Sequence, residues 1–167
     1  MLHVVDVLAK DELFLYELYA TTRIDEFVML ALNEQQLHSL LHMQYEAQKR
    51  SYQIKFPQAR HEIIYYEDVR IGRMMTAIQR ESIHLIDISL LPDFRGKGYG
   101  TKLLKRLQSN AADQKLSVTL QVLEGNPAQR LYERCGFNVT ANRLPYIAMK
   151  WESIVKSTKL IGVKENE

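Results

Sequence analysis

Apolar positions along this chain recur with two periods, one near 3.6 residues and one of 2, and the changes between them mark out an α/β order. His3 to Leu8 reads as a first strand. From Asp11 to about Ala20 the period becomes helical, with Leu13, Leu15, Tyr16 and Tyr19 on the apolar side and Asp11 placed as N-cap. A second helical stretch begins near Arg23 and includes Phe27 and Leu30. Asn33 to about Tyr52 is the clearest helix: Leu37, Leu40, Leu41 and Tyr45 keep the spacing, Asn33 and Gln36 suit a capping box, and Phe56-Pro57 stops it. His61–Tyr66, Val69–Gln79 and Ile83–Leu91 then read as three antiparallel strands, with turns at Glu67-Asp68 and Arg80-Glu81-Ser82. Leu103, Leu104, Leu107 and Ala111 return to the helical period, and Leu116, Val118, Leu120 and Val122 alternate with polar residues as a strand. A short helix and a final hairpin follow, the hairpin pairing Phe137–Thr140 with Ile147–Trp151 around Asn142 and Pro145.

Between the strand ending at Leu91 and the helix of Leu103 lies Pro92-Asp93-Phe94-Arg95-Gly96-Lys97-Gly98-Tyr99-Gly100-Thr101. Glycine admits positive φ and close approach of a ligand to the main chain. A helix start adds unpaired N–H groups and the positive end of its dipole, so the junction suits a phosphate or pyrophosphate. The residues do not complete a Walker A loop, because Gly100 is followed by Thr101-Lys102. They do not complete Gly-x-Gly-x-x-Gly either: Gly96 and Gly98 are followed by Thr101, and Gly98 and Gly100 by Leu103. What they do spell is Arg-x-x-Gly-x-Gly, Arg95 to Gly100. Further along stands Asn126-Pro127-Ala128-Gln129-Arg130-Leu131-Tyr132-Glu133-Arg134-Cys135-Gly136-Phe137. There Asn126 suits an N-cap, Pro127 the first helical position, and Gly136 the left-handed residue after a helix of about two turns.

The first motif resembles the pyrophosphate loop of the GNAT N-acetyltransferase superfamily. The second is similar to that family's Asn-x-x-Ala-x-x-Leu-Tyr-x-x-x-Gly-Phe arrangement after its fifth strand, with Asn126 and Ala128 one residue closer than usual. The resemblance covers Ile63 to Trp151 in detail and Met1 to Ala59 in general layout. It implies a GNAT fold, an α/β (α+β) domain over residues 1–152 with a tail at 153–167. The sheet would be mixed, mostly antiparallel and of about six to seven strands, with helices on both faces and a V-shaped splay between the fourth and fifth strands. It further implies acetyl-CoA as cosubstrate. Main-chain groups at Leu90 and Leu91 would pair with the pantetheine arm, and their side chains would belong to the core. Arg95, Gly96, Lys97, Gly98, Tyr99, Gly100 and Thr101 would hold the pyrophosphate, and Asn126 would contact the coenzyme or cap the short helix.

The activity implied is acetyl transfer to a primary amine of a small molecule or peptide, by direct attack in a ternary complex. A non-catalytic acyl-CoA sensor on the same fold is the alternative. Tyr132 would be the general acid for the departing thiolate, since a phenol stays protonated at neutral pH. The base is open among Asp87, Glu124, His84 and a water chain; Asp87 could equally form a salt bridge with a basic neighbour. Arg23, Gln44 and Tyr52 are candidates for the acceptor side. Gln44, Gln48 and Tyr52 share one helix face at i, i+4, i+8, where Gln48 reads as solvated.

Composition restricts the remaining choices. The chain has 22 basic and 20 acidic residues, a net charge of +2, too balanced to suggest nucleic acid. Cys135 is the only cysteine, which excludes an internal disulfide and suits a reducing, cytoplasmic setting. No Cys/His cluster has metal-ligand spacing, no run is long enough to span a membrane, and Met1–Leu8 lacks the features of a signal peptide. A homodimer formed through the last hairpin and tail is a further expectation.

Overall fold

The fold is described from a computed structural model, for residues 1–154; the rest of the expected tail, 155–167, lies outside the described residues. Seven strands form one mixed sheet: β1 (Leu2–Asp6), β2 (Arg60–Tyr66), β3 (Val69–Ile78), β4 (Ser82–Leu90), β5 (Ser117–Leu123), β6 (Asn138–Arg143) and β7 (Tyr146–Trp151). Their order is β1-β2-β3-β4-β5-β7-β6. Among the described residues the sheet is accompanied by α1 (Glu12–Phe27), α2 (Glu34–Lys55), α3 (Tyr99–Asp113) and α4 (Ala128–Arg134). The chain divides into two compact units, one of Met1–Met75 with Asp87–Lys97, the other of Thr76–Ile86 with Gly98 onward. Among the described residues no helix is long and apolar enough to cross a membrane.

In the first unit, β1 pairs antiparallel with β2 from Leu2↔Tyr66 to Asp6↔Glu62. β1 is thus shorter than the expected His3–Leu8, because Leu8 turns away into a short 3-10 segment. Asp11 does not cap α1 with its side chain. The carboxylate is buried, accepts from the Leu8 N–H at 2.8 Å and lies 3.1 Å from Arg70 Nη2.

The two helical stretches expected at Asp11–Ala20 and from Arg23 are one continuous helix, α1. The β-branched pair Thr21-Thr22 does not break it. Each hydroxyl donates 2.7 Å back into the preceding turn, to the Leu18 and Tyr19 carbonyls. A 3-10 turn at Val28–Leu30 and a left-handed Ala31 end it. The Asn33–Gln36 capping box opens α2 as expected, each side chain accepting from the other's main-chain N–H at 2.8 and 3.1 Å. Leu15, Tyr16 and Tyr19 of α1, Leu41 and Tyr45 of α2 and Ile63 of β2 form a buried cluster. Its tyrosines keep polar tips satisfied: Tyr16 Oη meets His38 Nδ1 at 3.0 Å, and Tyr45 Oη donates to Glu12 at 2.9 Å.

In the second unit, β4 and β5 run parallel, in register from Ser82↔Ser117 to Leu85↔Leu120. β5 continues to Leu123 alongside β7, antiparallel from Val118↔Trp151 to Leu123↔Tyr146. The register between β4 and β5 therefore ends before either strand does. β5 starts one residue later than its alternation suggests, since Leu116 N–H closes α3 on the Ala111 carbonyl at 2.8 Å. Leu103, Leu104, Leu107 and Ala111 are the buried stripe of α3. Leu103 and Leu104 are at most 2% exposed and contribute about 1.5–3 kcal/mol each. Phe137 is not a strand residue but core, with its N–H on the Tyr132 carbonyl at 3.0 Å. β6 runs on to Arg143, past the expected Thr140.

Candidate functional site

The glycine turn has the shape its sequence requires. Gly96 and Gly98 have φ of 70° and 86°, and a Cβ built on either would meet nothing within 4 Å. The main chain there is open to approach. Gly98 is N-cap of α3, and the first helical bond runs from Lys102 N–H to the Gly98 carbonyl at 3.1 Å. Helix geometry leaves the N–H groups before it without partners inside the helix. Gly100 serves packing instead: a Cβ there would stand 3.3 Å from Leu131 Cδ2. Tyr99, Gly100 and Thr101 are half-buried, while Arg95 to Gly98 are exposed.

The two charged side chains of the turn already have neighbours. Arg95 Nε donates to the Leu90 carbonyl at 2.9 Å and its Nη2 lies 3.5 Å from Thr21 Oγ1. Lys97 Nζ sits 5.9 Å from the centre of the Phe94 ring. Leu91 is engaged on both sides, donating to the Ile71 carbonyl at 2.8 Å and accepting from the Phe94 N–H at 3.0 Å. Since main-chain groups of successive strand residues point to opposite edges, Leu90 is the residue of the pair that faces away from β3. The side chains of Leu90 and Leu91 are half-buried, not the core positions expected of them.

Asp87 forms the salt bridge that stood as the alternative to a base, within a polar cluster whose members the sequence did not name. Arg73 of β3, 8% exposed, donates from Nε to Asp87 Oδ2 at 2.7 Å. Ser89 Oγ lies 3.0 Å from both Asp87 oxygens. Arg73 Nη2 also donates to Gln48 Oε1 at 3.0 Å, and its guanidinium stands 6.0 Å from the centre of the Tyr52 ring. Both Asp87 oxygens are thus engaged by Arg73 or Ser89. Gln48, expected on a solvated face, is part of this cluster. Arg73 had one signal: a charge inside the run Val69–Ile78 must find a partner, and Asp87 is the only acidic residue of β4. His61 lies in the same field, its Nε2 buried without a hydrogen-bond partner. Burial first, then the Arg73 charge, lower its pKa to about 4.

The other candidates are dispersed. Arg23 pairs with Glu26 at 3.3 Å on α1 and lies 5.7 Å from the Tyr19 ring centre. Gln44 is half-buried on α2. Glu124 is exposed in the turn after β5, where its N–H donates to the Pro145 carbonyl at 2.9 Å. His84 of β4 is half-buried with Nδ1 2.9 Å from Thr119 Oγ1, and burial lowers its pKa from the ordinary 6.5.

Asn126 is not the N-cap of α4 that its sequence suggests: Pro127 holds that position without a side-chain cap, and Asn126 Oδ1 instead accepts from the Ala128 N–H at 2.9 Å in a turn just before the helix. Tyr132 is 8% exposed and packs edge-on against Phe137, ring centres 5.8 Å apart. Gly136, at φ 89°, ends the helix as its sequence suggests. Sequence reading missed Gln108, a buried polar residue of α3 that donates from Nε2 to the Cys135 carbonyl at 2.7 Å. Cys135 is itself buried, a packing position.

A sequence model of the Acetyltransferase (GNAT) family matches residues 16–137, spanning the α1–α2 segment, the glycine turn and α4. The chain belongs to the GNAT family. No curated protein matches the sequence. Solved structures agree on the GNAT fold. The PaiA N-acetyltransferase of Thermoplasma acidophilum, in complex with coenzyme A, is 17% identical over 92% of this chain and 99% of its own, with a TM-score of 0.69. An acetyltransferase of Thermus thermophilus is also 17% identical, over 90% and 95%, with a TM-score of 0.63. Ard1 of Thermoplasma volcanium is 18% identical, over 92% and 98%, with a TM-score of 0.61.

Proposed function

We propose that this GNAT protein transfers an acetyl group from acetyl-CoA to a primary amine, of a small molecule or a peptide, by direct attack in a ternary complex. The observation that carries the reading is the turn before α3: two glycines at positive φ with open space over them, leading into a helix start. Such a start offers N–H donors and positive potential to an anion, and nothing over Gly96 or Gly98 obstructs a pyrophosphate. Main-chain groups from Gly96 to Thr101 would hold it, with Arg95 and Lys97 adding charge. The main chain of Leu90, whose carbonyl already accepts from Arg95 Nε, would pair with the pantetheine arm through its N–H. Asn126, at the start of α4, would offer its side-chain amide to the same arm.

Acetyl-CoA supplies an activated acyl thioester. Tyr132 holds a proton at Oη for the sulfur that departs, and Phe137 fixes its ring. Of the three side chains considered for the proton lost by the amine, His84 fits best. Burial keeps it neutral at neutral pH, and the Thr119 hydroxyl orients its ring. Asp87 is engaged by Arg73 and Ser89, and Glu124 is solvated on its turn. Tyr52 and Gln48, joined through Arg73, would face the acceptor, with Arg23 and Gln44 as outer candidates.

The test is calorimetric titration of wild type and Gly98→Trp with acetyl-CoA, coenzyme A, ATP and NAD, followed by turnover on a panel of amines. Selective binding of the coenzyme A pair, abolished in Gly98→Trp, and transfer to at least one amine support the reading. Absence of coenzyme A binding by folded wild type overturns it. Binding without transfer to any amine would make the protein an acyl-CoA sensor instead.

A further inference from the structure

β4 is anchored differently along its two halves. From Ser82 to Leu85 it is in register with β5. The next residues, Ile86 to Leu90, are half-buried, and their position has to be fixed from β3. A strand segment supported from one side is prone to local opening unless something holds it.

Three features on β3 hold this one. Ile71 takes the Leu91 N–H at 2.8 Å. Arg73 takes Asp87 at 2.7 Å, and Ser89 closes on the same carboxylate. Between them, at Gly72, the two main chains come very close. A Cβ on Gly72 would lie 2.1 Å from the Ser89 carbonyl oxygen, 2.9 Å from Leu90 Cδ2 and 3.1 Å from Leu90 Cα. Gly72 is not among the glycines with positive φ, so conformational freedom is not its reason. Its reason is space. The nearest obstruction is main chain, which cannot rotate away as a side chain could. To reach ordinary contact distance, any larger residue must drive the Ser89 carbonyl off by about 1 Å and the Leu90 main chain by a few tenths of an ångström.

We propose that Gly72, flanked by the Arg73–Asp87 pair, is a positioning residue for acetyl transfer. It sets where the main chain of Ser89–Leu90 meets the coenzyme without touching the coenzyme itself. The proposal rests on the coenzyme reading above, in which the main-chain N–H of Leu90 receives the pantetheine arm. In that case Asp87 serves as an anchor of β4, with Arg73 as its counter-ion.

The experiment compares wild type with Gly72→Ala, Asp87→Asn and Arg73→Lys. Coenzyme A dissociation constants come from calorimetry, thermal midpoints from unfolding, and KM and kcat from acetyl transfer. Folded Gly72→Ala is expected to bind coenzyme A about tenfold or more weakly, because a misplacement of up to about 1 Å removes well-aligned contacts. Its KM for acetyl-CoA should rise in parallel, with the amine KM within about twofold of wild type. Asp87→Asn should weaken coenzyme A about threefold or more, and Arg73→Lys, whose ammonium cannot reproduce the fork that donates to Asp87 and Gln48 together, should weaken it as well. A purely structural role for Gly72 would lower the thermal midpoint and leave the dissociation constant of the folded protein within about twofold of wild type, overturning the proposal. If Gly72→Ala does not fold, the coenzyme A affinity of Asp87→Asn decides in the same way. Wild type that fails to bind coenzyme A refutes the functional reading, whereas wild type and variants that bind it alike refute only this inference.

Discussion

Replacing Gln108 with Met removes one hydrogen bond and little else. The side chain is 4% exposed, and its Nε2 reaches the Cys135 carbonyl at 2.7 Å, joining the middle of α3 to the end of α4. Met keeps the volume and helix propensity but cannot donate, so the carbonyl loses this partner. A buried hydrogen bond is worth about 0.5–1.5 kcal/mol net, and an abandoned buried acceptor costs about 1–3 kcal/mol. The extra apolar surface of Met offsets part of that, so the expected loss is about 1–2 kcal/mol. For a chain of this size each kcal/mol shifts the thermal midpoint by about 2–4 °C, giving a fall of about 2–8 °C. Gln108→Glu should be worse, since its carboxylate would face a carbonyl oxygen and could not donate unless protonated. Urea unfolding, with slopes checked for constancy, supplies the free energies. A Gln108→Met loss below about 0.5 kcal/mol, within the range of ordinary surface substitutions, or a Glu variant more stable than the Met one, would refute this account of what ties α3 to α4.

Other expectations concern charge, turns and catalysis. His61 titrates in the folded protein at about 4, below its ordinary 6.5. Its stabilising contribution is therefore full above pH 6.5 and is lost as pH falls toward 4. After discounting for its partial exposure, the loss should be about 1–2 kcal/mol, and His61→Gln should flatten the stability profile across that window. Gly136 combines φ 89° with a Cβ position 3.3 Å from Trp151 Cδ1, so Gly136→Ala should cost about 1–2 kcal/mol in unfolding experiments. Loss of the Asn126 side-chain bond to the Ala128 N–H in Asn126→Ala should cost about 0.5–1.5 kcal/mol by the same measurement. If Tyr132 is the general acid, Tyr132→Phe should lower kcat about 10²-fold or more at an unchanged coenzyme A dissociation constant; an unchanged kcat would reduce Tyr132 to a packing residue.

Local chemistry was legible in the sequence. The Asn33–Gln36 box, the Glu67-Asp68 turn, the left-handed Gly136 and the glycine turn before α3 all depend on residues within a few positions of one another. Each signal therefore sits in one window of the chain. The same holds for the buried stripe of α3, where spacing alone decides which side chains can share a face. Two motifs in order were specific enough to suggest the GNAT family that the sequence model matches.

Tertiary structure decided what depends on distant partners. Arg73 meets Asp87 across 14 positions and Gln48 across 25, and Gln108 meets the Cys135 carbonyl across 27. Periodicity names the face a residue occupies but not which polar atom will stand opposite. The period alone ends one helix near Ala20 and starts another near Arg23, yet the hydroxyls of Thr21 and Thr22 between them bond within a single helix. Gly72 carries no turn signal, because its reason is the Ser89 carbonyl of the neighbouring strand. The chain by itself determined most of its elements, the cap of α2 and the glycine turn, since those are set by bonds between neighbours. Which carboxylate is engaged, which leucine faces away from β3 and where one strand needs a glycine follow from packing, which brings together atoms that the sequence keeps apart.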